Sequence, residues 1–303
     1  MLPVHASALH EHAAPLALPV RHADGRITAP VLVDVRWLEA NRDDVIVIDT
    51  RSAAAFEDGH VTGAVSLPLD ALLVDDSSRP ALERLAAAAR ATLAARGVAP
   101  GDHVVLVDDC DGSAALGGVI CELAGMRHVS VVHGSGIDAW KVLAGDVASG
   151  PASLTPVAAG AWDGVHSRAT AVAAFEDVVD AVVEGTSCVV DARSQLEHEG
   201  IIGAPCCEHR GAIPGSVHVE WTACFDMFGA PRPTERIIEL MDHVGLGPDD
   251  RIIVSCHAGH RAAIAARVLR GAGFRDVRVS LGSWHEWVGR GLGADSGAAD
   301  VDA

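Results

Sequence analysis

The sequence lacks the features of several protein classes. It has no continuous basic segment, and 23 Lys and Arg residues against 41 Asp and Glu residues give a formal net charge of −18, which argues against a nucleic-acid partner. No stretch approaches the ~20 apolar residues that a membrane-spanning helix needs. Residues 1–6 have neither the charged region nor the apolar core of a signal peptide. We therefore expect a cytoplasmic protein without nucleic-acid or membrane partners.

A disulfide framework is also missing. The seven cysteines show no spacing typical of one, and the adjacent Cys206 and Cys207 cannot easily pair with each other. Reduced thiols in a reducing compartment are the simplest interpretation. The apolar content of 49% is that of an ordinary globular protein, and 303 residues suit two domains.

A long internal repeat runs through the chain. The segment VIVIDTRS at 45–52 returns as SCVVDARS at 187–194, and residues 97–107 match residues 245–255 at an offset of 148 (245 − 97). The same offset relates Gly134 to Gly282. This period is too long for a solenoid and indicates a duplicated domain.

Each copy alternates short apolar strands with helical stretches, which predicts an α/β fold with a mainly parallel sheet covered by helices. Predicted strands of the second copy are 188–191, 217–219, 252–255 and 277–280. Predicted helices are 80–96 and 113–124 in the first copy, and 168–184, 234–244 and 261–272 in the second. The predicted boundaries are a flexible segment 1–27, a first domain 28–145, a linker 146–166, a second domain 167–291 and a flexible tail 292–303.

Cys256 lies between a predicted strand and a predicted helix. A β-branched run at 252–254 is typical of a buried strand, and an Ala-rich run that favours a helix begins near Arg261. The unpaired N–H groups of a helix start favour a thiolate at this point. A core-filling cysteine fits this segment equally well, but His257, His260 and Arg261 would be poorly placed around one. We therefore expect Cys256 to be exposed, ionised and nucleophilic.

From about residue 30 to 290 the chain resembles the tandem-domain rhodanese sulfurtransferases. Four features carry the resemblance: a strand ending in Asp-x-Arg, a Gly-centred turn, a Cys-centred loop and an ending of the Gly-x-x-x-Trp type. They occur at Asp49–Arg51 and Asp191–Arg193, at His60–Ala64 and Ala212–Ser216, at Cys256–Arg261, and at Gly136–Trp140 and Ser283–Trp287, where serine replaces the glycine. The resemblance implies two rhodanese-like domains of which only the C-terminal one is catalytic.

The first copy has a carboxylate where the second has its cysteine. The offset without a gap puts Asp108 opposite Cys256, and Asp109 takes that place if one residue is inserted. Cys110 is close by, but the aspartates around it oppose formation of a thiolate. We expect the first domain to be an inactive partner that closes one side of the active site.

The resemblance implies a reaction and a set of site residues. Cys256 would take a sulfane sulfur from a small anionic donor such as thiosulfate, hold it as a persulfide and pass it to cyanide or a thiol acceptor. No metal or organic cofactor is required. The residues expected to bind the donor are His257, Ala258, Gly259, His260, Arg261, Arg193 and Arg210.

The donor is less well determined by the sequence. Basic residues after the cysteine are typical of relatives that prefer thiosulfate, whereas users of 3-mercaptopyruvate have small neutral ones, and His257-to-Arg261 is closer to the first type. Many two-domain relatives carry an arginine six residues after the strand's aspartate, but here that position is Glu197. Arg210 is a candidate to compensate. 3-Mercaptopyruvate therefore stays an alternative donor.

Three non-catalytic functions remain open: the loop could belong to a sulfur carrier, a redox sensor or a binding scaffold. A rhodanese-like phosphatase is disfavoured, because Arg261 is five residues after Cys256 and such enzymes place it six after.

Some candidate residues also have a purely structural interpretation. Asp191 and Arg193 are candidates to stabilise the loop network and not to touch substrate. The Cys206 and His209 pair has no second pair at structural-zinc spacing, so no metal site is predicted.

Overall fold

The computed structural model describes residues 17–21, 27–69, 72–134, 136–143, 145–151, 155–158, 160–168, 170–227 and 229–295. The strands of the first half are β1 Ala17–Arg21, β2 Ile27–Val33, β3 Ile46–Asp49, β4 His60–Val61, β5 Val65–Ser66, β6 His103–Val107, β7 His128–Val132 and β8 Val147–Ala148. Its helices are α1 Val35–Ala40, α2 Ala53–Asp58, α3 Arg79–Ala95, α4 Ser113–Ala124 and α5 Gly136–Leu143.

The strands of the second half are β9 Val172–Ala173, β10 Cys188–Asp191, β11 Val217–His218, β12 Arg251–Ser255 and β13 Asp276–Ser280. Its helices are α6 Phe175–Glu184, α7 Gln195–His198, α8 Thr234–Asp242, α9 His260–Gly271 and α10 Ser283–Gly289. Short 3₁₀ helices cover Arg42–Asp44 and Trp221–Cys224. Among the described residues, none of the helices has both the length and the apolar character needed to cross a bilayer.

Each half of the chain forms its own sheet, and the two sheets have matching strand orders. The first has the strand order β1-β2-β7-β6-β3-β5 and the second β11-β10-β12-β13-β9, with β4 and β8 forming a separate antiparallel pair. All neighbours within the two large sheets are parallel except β1 and β2. The register also repeats, because Asp49 lies opposite Val107 and Asp191 opposite Ser255. The predicted α/β fold with two duplicated parallel sheets is confirmed.

Some predicted boundaries are wrong. The helix predicted from residue 168 begins at Phe175, because β9 precedes it and the Asp177 carboxylate accepts the Ala174 amide at the helix start. Residues 17–21 are strand β1, paired with β2, although 1–27 was expected to be flexible; residues 1–16 and 22–26 lie outside the described residues. The start of the expected tail is also held, since Asp295 exchanges backbone hydrogen bonds with Ala212.

The two domains meet along α4 and α9. Arg267 of α9 is fully buried, and its guanidinium lies 3.3 Å from the Glu122 carboxylate of α4. Arg270 donates to the same carboxylate at 2.8 Å. A Cβ at Gly118 would overlap the Arg267 guanidinium, so glycine allows this close approach. The contact brings the loop before α4 close to the loop before α9, which contains Cys256.

Candidate active site

Cys256 directly follows β12, the central strand of the second sheet. Residues 256–259 form the loop to α9, and Gly259 adopts a φ of +86° before the helix begins. A Cβ at Gly259 would come within 3.0 Å of the Leu281 carbonyl oxygen, so the turn requires glycine. The Gly259 amide donates to Cys256 Sγ at 3.1 Å, and the Cys256 amide donates to Ser283 Oγ at 3.1 Å. The thiol thus faces the N-terminus of α9, as the sequence predicts.

The expectation that Cys256 is exposed is wrong, because the residue is only 1% exposed. The physical reason is its position at the end of a central strand, where the loop returns over the sulfur and the thiol packs with apolar core residues. Leu116 of the first domain approaches the same loop, 3.3 Å from the Cβ position of Gly259. In this conformation Sγ is therefore shielded from solvent.

Arg261 is held by Glu197 in an ion pair with two hydrogen bonds. Its Nη1 and Nη2 donate to the two carboxylate oxygens at 2.7 and 2.9 Å. Burial acts to raise the pKa of Glu197, but the hydrogen bonds from Arg261 and Ser194 lower it to about 2. The carboxylate is therefore charged at neutral pH. It offsets the positive charge of Arg261, which was expected to bind the donor.

The histidines of the loop have different surroundings. Burial lowers the pKa of His257, and the neighbouring His285 ring and the Arg261 guanidinium add to this effect. A neutral imidazole is favoured, so the expectation that His257 adds positive charge for an anionic donor is not met at neutral pH. His260 Nδ1 lies 3.1 Å from the carbonyl oxygen of Ala258 within the loop.

Arg193 is buried in a charge network below the loop. Its Nε and Nη2 donate to the Asp191 carboxylate at 2.9 and 2.6 Å, and Nη2 also donates to the Gly211 carbonyl at 2.7 Å. Its guanidinium stacks 4.7 Å from the Trp284 ring. Burial acts to raise the pKa of Asp191, but hydrogen bonds from His198 and Arg193 lower it to about 2. This geometry supports a role in stabilising the loop and not in direct contact with the donor.

Arg210 is exposed, and its Nη1 donates to the carbonyl oxygen of Ile201 at 3.2 Å. Its side chain also packs beside Gly203. Among the described residues these contacts join Arg210 to its own loop, and the ion pair of Glu197 is made with Arg261. The suggested compensation of Glu197 by Arg210 therefore finds no support in the described contacts.

The first domain shows how such a loop holds an anion. Asp108 directly follows β6, as Cys256 follows β12, so Asp108 and not Asp109 is the counterpart. The first loop has one more residue before its helix. Three amides, those of Cys110, Gly112 and Ala114, donate to the Asp108 carboxylate at 2.9 to 3.1 Å. The side chain thus accepts the amides at the start of α4 that would otherwise be free to face a ligand.

Cys110 does not replace the missing nucleophile. Partial desolvation and the negative charges of Asp108, Asp109 and Asp111 raise its pKa to about 11. The thiol is therefore protonated at neutral pH, as the sequence predicts. A groove opens beside Cys110 between the domains, walled by Trp221 and Phe225 of the second domain. This groove lies at the inactive loop and not at Cys256.

Two parts of the site are not predicted from the sequence. The Glu197–Arg261 ion pair joins residues 64 positions apart, and a cluster around His257 joins Cys206 and Cys207 to His285 of α10. Neither follows a local spacing rule. The sequence contains both the basic loop and Glu197, but only the fold shows that Glu197 neutralises Arg261.

Comparison with known proteins agrees with this architecture. The family model for the rhodanese-like domain matches residues 32–143 and 175–290. A thiosulfate sulfurtransferase of Azotobacter vinelandii is 26% identical over 277 residues, which cover 87% of this chain and 96% of the relative. A 3-mercaptopyruvate sulfurtransferase of Escherichia coli is 27% identical over 276 residues, covering 85% of this chain and 95% of the relative.

A solved structure shows the same fold. The crystal structure of the 3-mercaptopyruvate sulfotransferase SseA from Escherichia coli superimposes with a TM-score of 0.66 at 25% identity, over 84% of this chain and 98% of that chain. The fold and the site define a two-domain α/β enzyme of the sulfurtransferase class. The chain belongs to the rhodanese family, with one rhodanese-like domain in each half.

Proposed function

We propose that the protein moves a sulfane sulfur from a small anionic donor, thiosulfate in the first place, to cyanide or a thiol through a persulfide on Cys256. The Cys256 thiolate attacks the outer sulfur of thiosulfate, the S–S bond breaks, and sulfite leaves with its electron pair. Cyanide then attacks the terminal sulfur of the persulfide and leaves as thiocyanate, which restores the thiolate. Two easier displacements replace one difficult transfer.

The observation that carries this proposal is the Cys256 thiol at the N-terminal end of α9, with the Gly259 amide donating to its sulfur. Amides at such a position stabilise a thiolate and a persulfide anion alike. Asp108 supports the same conclusion, because its carboxylate accepts three amides in the equivalent loop. A larger anion at position 256, such as a persulfide, is expected to reach more of the loop amides than the bare thiol does.

The rest of the loop supports a small anionic donor. The amides of His257 to Arg261 are the expected donors to its oxygens, and Arg261 is permanently charged. Glu197 competes for Arg261, so we expect weak donor binding. We infer a reducing, cytoplasmic compartment, in which the Cys256 thiol stays available for this reaction.

The choice of donor is tested by two parallel assays on the full-length protein. We expect sulfite release from thiosulfate to have a higher kcat/KM than pyruvate release from 3-mercaptopyruvate. The reverse order would assign 3-mercaptopyruvate as the donor. Mass spectrometry after incubation with either donor, without acceptor, should find one added sulfur atom on the peptide containing Cys256. A persulfide that forms but is not turned over with either cyanide or a thiol would indicate a sulfur carrier instead.

We expect Glu197→Gln to lower the KM for thiosulfate about tenfold, because the change removes a like charge and frees Arg261 for the dianion. Steady-state sulfite release at constant ionic strength measures this. The matched control is Glu199→Gln, which makes the same charge change two residues away, where the carboxylate accepts from Gln195. An unchanged or higher KM in Glu197→Gln, relative to that control, would show that the ion pair does not limit donor binding.

A further inference from the structure

Four thiol and imidazole side chains meet beside the Cys256 loop. Cys206 and Cys207 come from the loop between α7 and β11, His257 from the Cys256 loop, and His285 from α10. Their ligand atoms all lie within 4.8 Å of one another. Cys206 Sγ is 3.2 Å from His257 Nε2 and 3.9 Å from Cys207 Sγ, and Cys207 Sγ is 4.0 Å from His285 Nδ1. We call these four residues the Cys–His cluster.

The spacing fits a tetrahedral metal ion. Zinc bonds of about 2.3 Å to sulfur and about 2.0 Å to nitrogen put neighbouring ligand atoms of a tetrahedron roughly 3.3 to 3.8 Å apart. The observed separations of 3.2, 3.9 and 4.0 Å bracket this range. All pairs of ligand atoms lie within 4.8 Å, so the widest pairs have to close by about 1 Å for coordination.

The surroundings also suit a metal. His285 Nε2 lies 3.1 Å from Asp75 Oδ1, which leaves Nδ1 free to bind an ion while the carboxylate orients the ring. His257 Nδ1 is buried and has no hydrogen-bond partner in the described part of the chain. The polar contact of that ring is thus directed at Cys206. Cys206 is exposed and the other three are half-buried, so an ion can enter from solvent.

The donor set selects the kind of ion. Two thiolates and two neutral imidazoles balance a divalent charge, and soft sulfur with imidazole suits zinc, whereas calcium and magnesium need oxygen ligands. We propose that Cys206, Cys207, His257 and His285 bind one zinc ion in a tetrahedral site. The sequence shows only the cysteine pair of this site, because the two histidines are supplied from distant segments.

Zinc at this position would also affect the enzyme, and this second statement rests on the proposed sulfur transfer. His257 adjoins Cys256, which is 1% exposed, and we infer that the loop opens to admit a donor. An ion that ties His257 to α10 and to the loop of Cys206 opposes that opening. We therefore expect bound zinc to slow turnover of thiosulfate.

Cobalt(II) titration of the reduced, chelator-treated full chain tests the site, in the Cys256→Ser variant so that the catalytic thiol contributes nothing. We expect one equivalent to give the strong visible bands of tetrahedral cobalt and a thiolate-to-cobalt charge-transfer band, and zinc to displace it stoichiometrically. The histidines at 5, 10 and 12 cannot produce the charge-transfer band because residues 1–16 contain no cysteine. Its absence, or a weak octahedral spectrum, would overturn the proposal.

Variants locate the ligands. Adding both Cys206→Ser and Cys207→Ser to the Cys256→Ser variant should abolish the charge-transfer band and lower the zinc affinity at least about 100-fold. Adding Cys110→Ser instead should change neither the band nor the affinity. Asp75→Asn should lower the zinc affinity about tenfold and leave the charge-transfer band in place. Circular dichroism and thermal melting confirm that each variant folds. A band that persists in the double cysteine variant would place the metal elsewhere and refute the site.

The rate of sulfite release tests whether bound zinc affects turnover, independently of whether the zinc site exists. One equivalent of zinc should slow sulfite release in the wild type and have little effect in the Cys207→Ser variant. Zinc that binds as described but leaves the rate unchanged would refute the regulatory statement and leave the site standing. A metal-free wild type that releases no sulfite, together with the expected cobalt spectrum in Cys256→Ser, would refute the proposed sulfur transfer and not the site.

Discussion

Replacing Cys256 by serine is expected to lower kcat for sulfite release from thiosulfate at least about 1000-fold, because a hydroxyl at neutral pH is a poor nucleophile and cannot carry the transferred sulfur as a persulfide. The same loss is expected with 3-mercaptopyruvate. The measurement is the initial rate with cyanide as acceptor, together with the mass of the protein after donor treatment. The variant should gain no sulfur atom at residue 256.

The control is Cys110→Ser, which removes the thiol of the equivalent region in the first domain. Its pKa of about 11 keeps Cys110 protonated, so this variant should retain the wild-type rate. A Cys256→Ser enzyme that works at full rate, or activity that depends on Cys110, would contradict the mechanism. Loss of rate in both variants would point to a structural effect shared by the two loops.

Arg193→Ala is expected to lower the free energy of unfolding by about 3 to 5 kcal/mol, because it leaves the buried Asp191 carboxylate without its main partner. Asp191 and Arg193 are each 3% exposed, so water cannot replace the guanidinium without entering the core. Denaturant unfolding of the second-domain transition measures the effect. Asp49 and Arg51 form the same pair in the first domain, so Arg51→Ala should destabilise that domain comparably.

The matched control is Arg236→Ala, which breaks an exposed ion pair with Glu239 and should cost less than about 1 kcal/mol. This comparison also separates the two interpretations of Arg193. A normal stability with a raised KM for thiosulfate would make Arg193 a donor-binding residue. The expected loss of stability would make it a positioning residue that supports the loop network through Asp191.

Much of the fold follows from local patterns. The β-branched runs predict the strands β10 and β12 with their aspartate ends, and the offset of 148 residues predicts that both sheets share one order. Asp191 and Arg193 pair locally, because they are only two positions apart at the end of a strand. Errors fall at boundaries, as at Phe175, where a short strand and a helix share an apolar run.

The site depends more on contacts between distant segments. Sequence spacing placed Cys256 at the start of a helix, but its burial results from the loop and the core residues that pack around it. Glu197 appeared only as a departure from a family pattern. Its effect on Arg261 became visible when the fold put the two side chains 2.7 Å apart.

By itself the sequence determined that this chain is a duplicated α/β protein of the rhodanese family, that its second copy alone has a cysteine after the central strand, and that Asp108 or Asp109 replaces it in the first. Periodicity and motif order carry that information because they act within a few residues along the chain. Tertiary structure decided how far Cys256 is buried, which partner neutralises Arg261 and which histidines face Cys206 and Cys207. These properties depend on segments separated by tens to hundreds of residues, and only packing brings them within bonding distance.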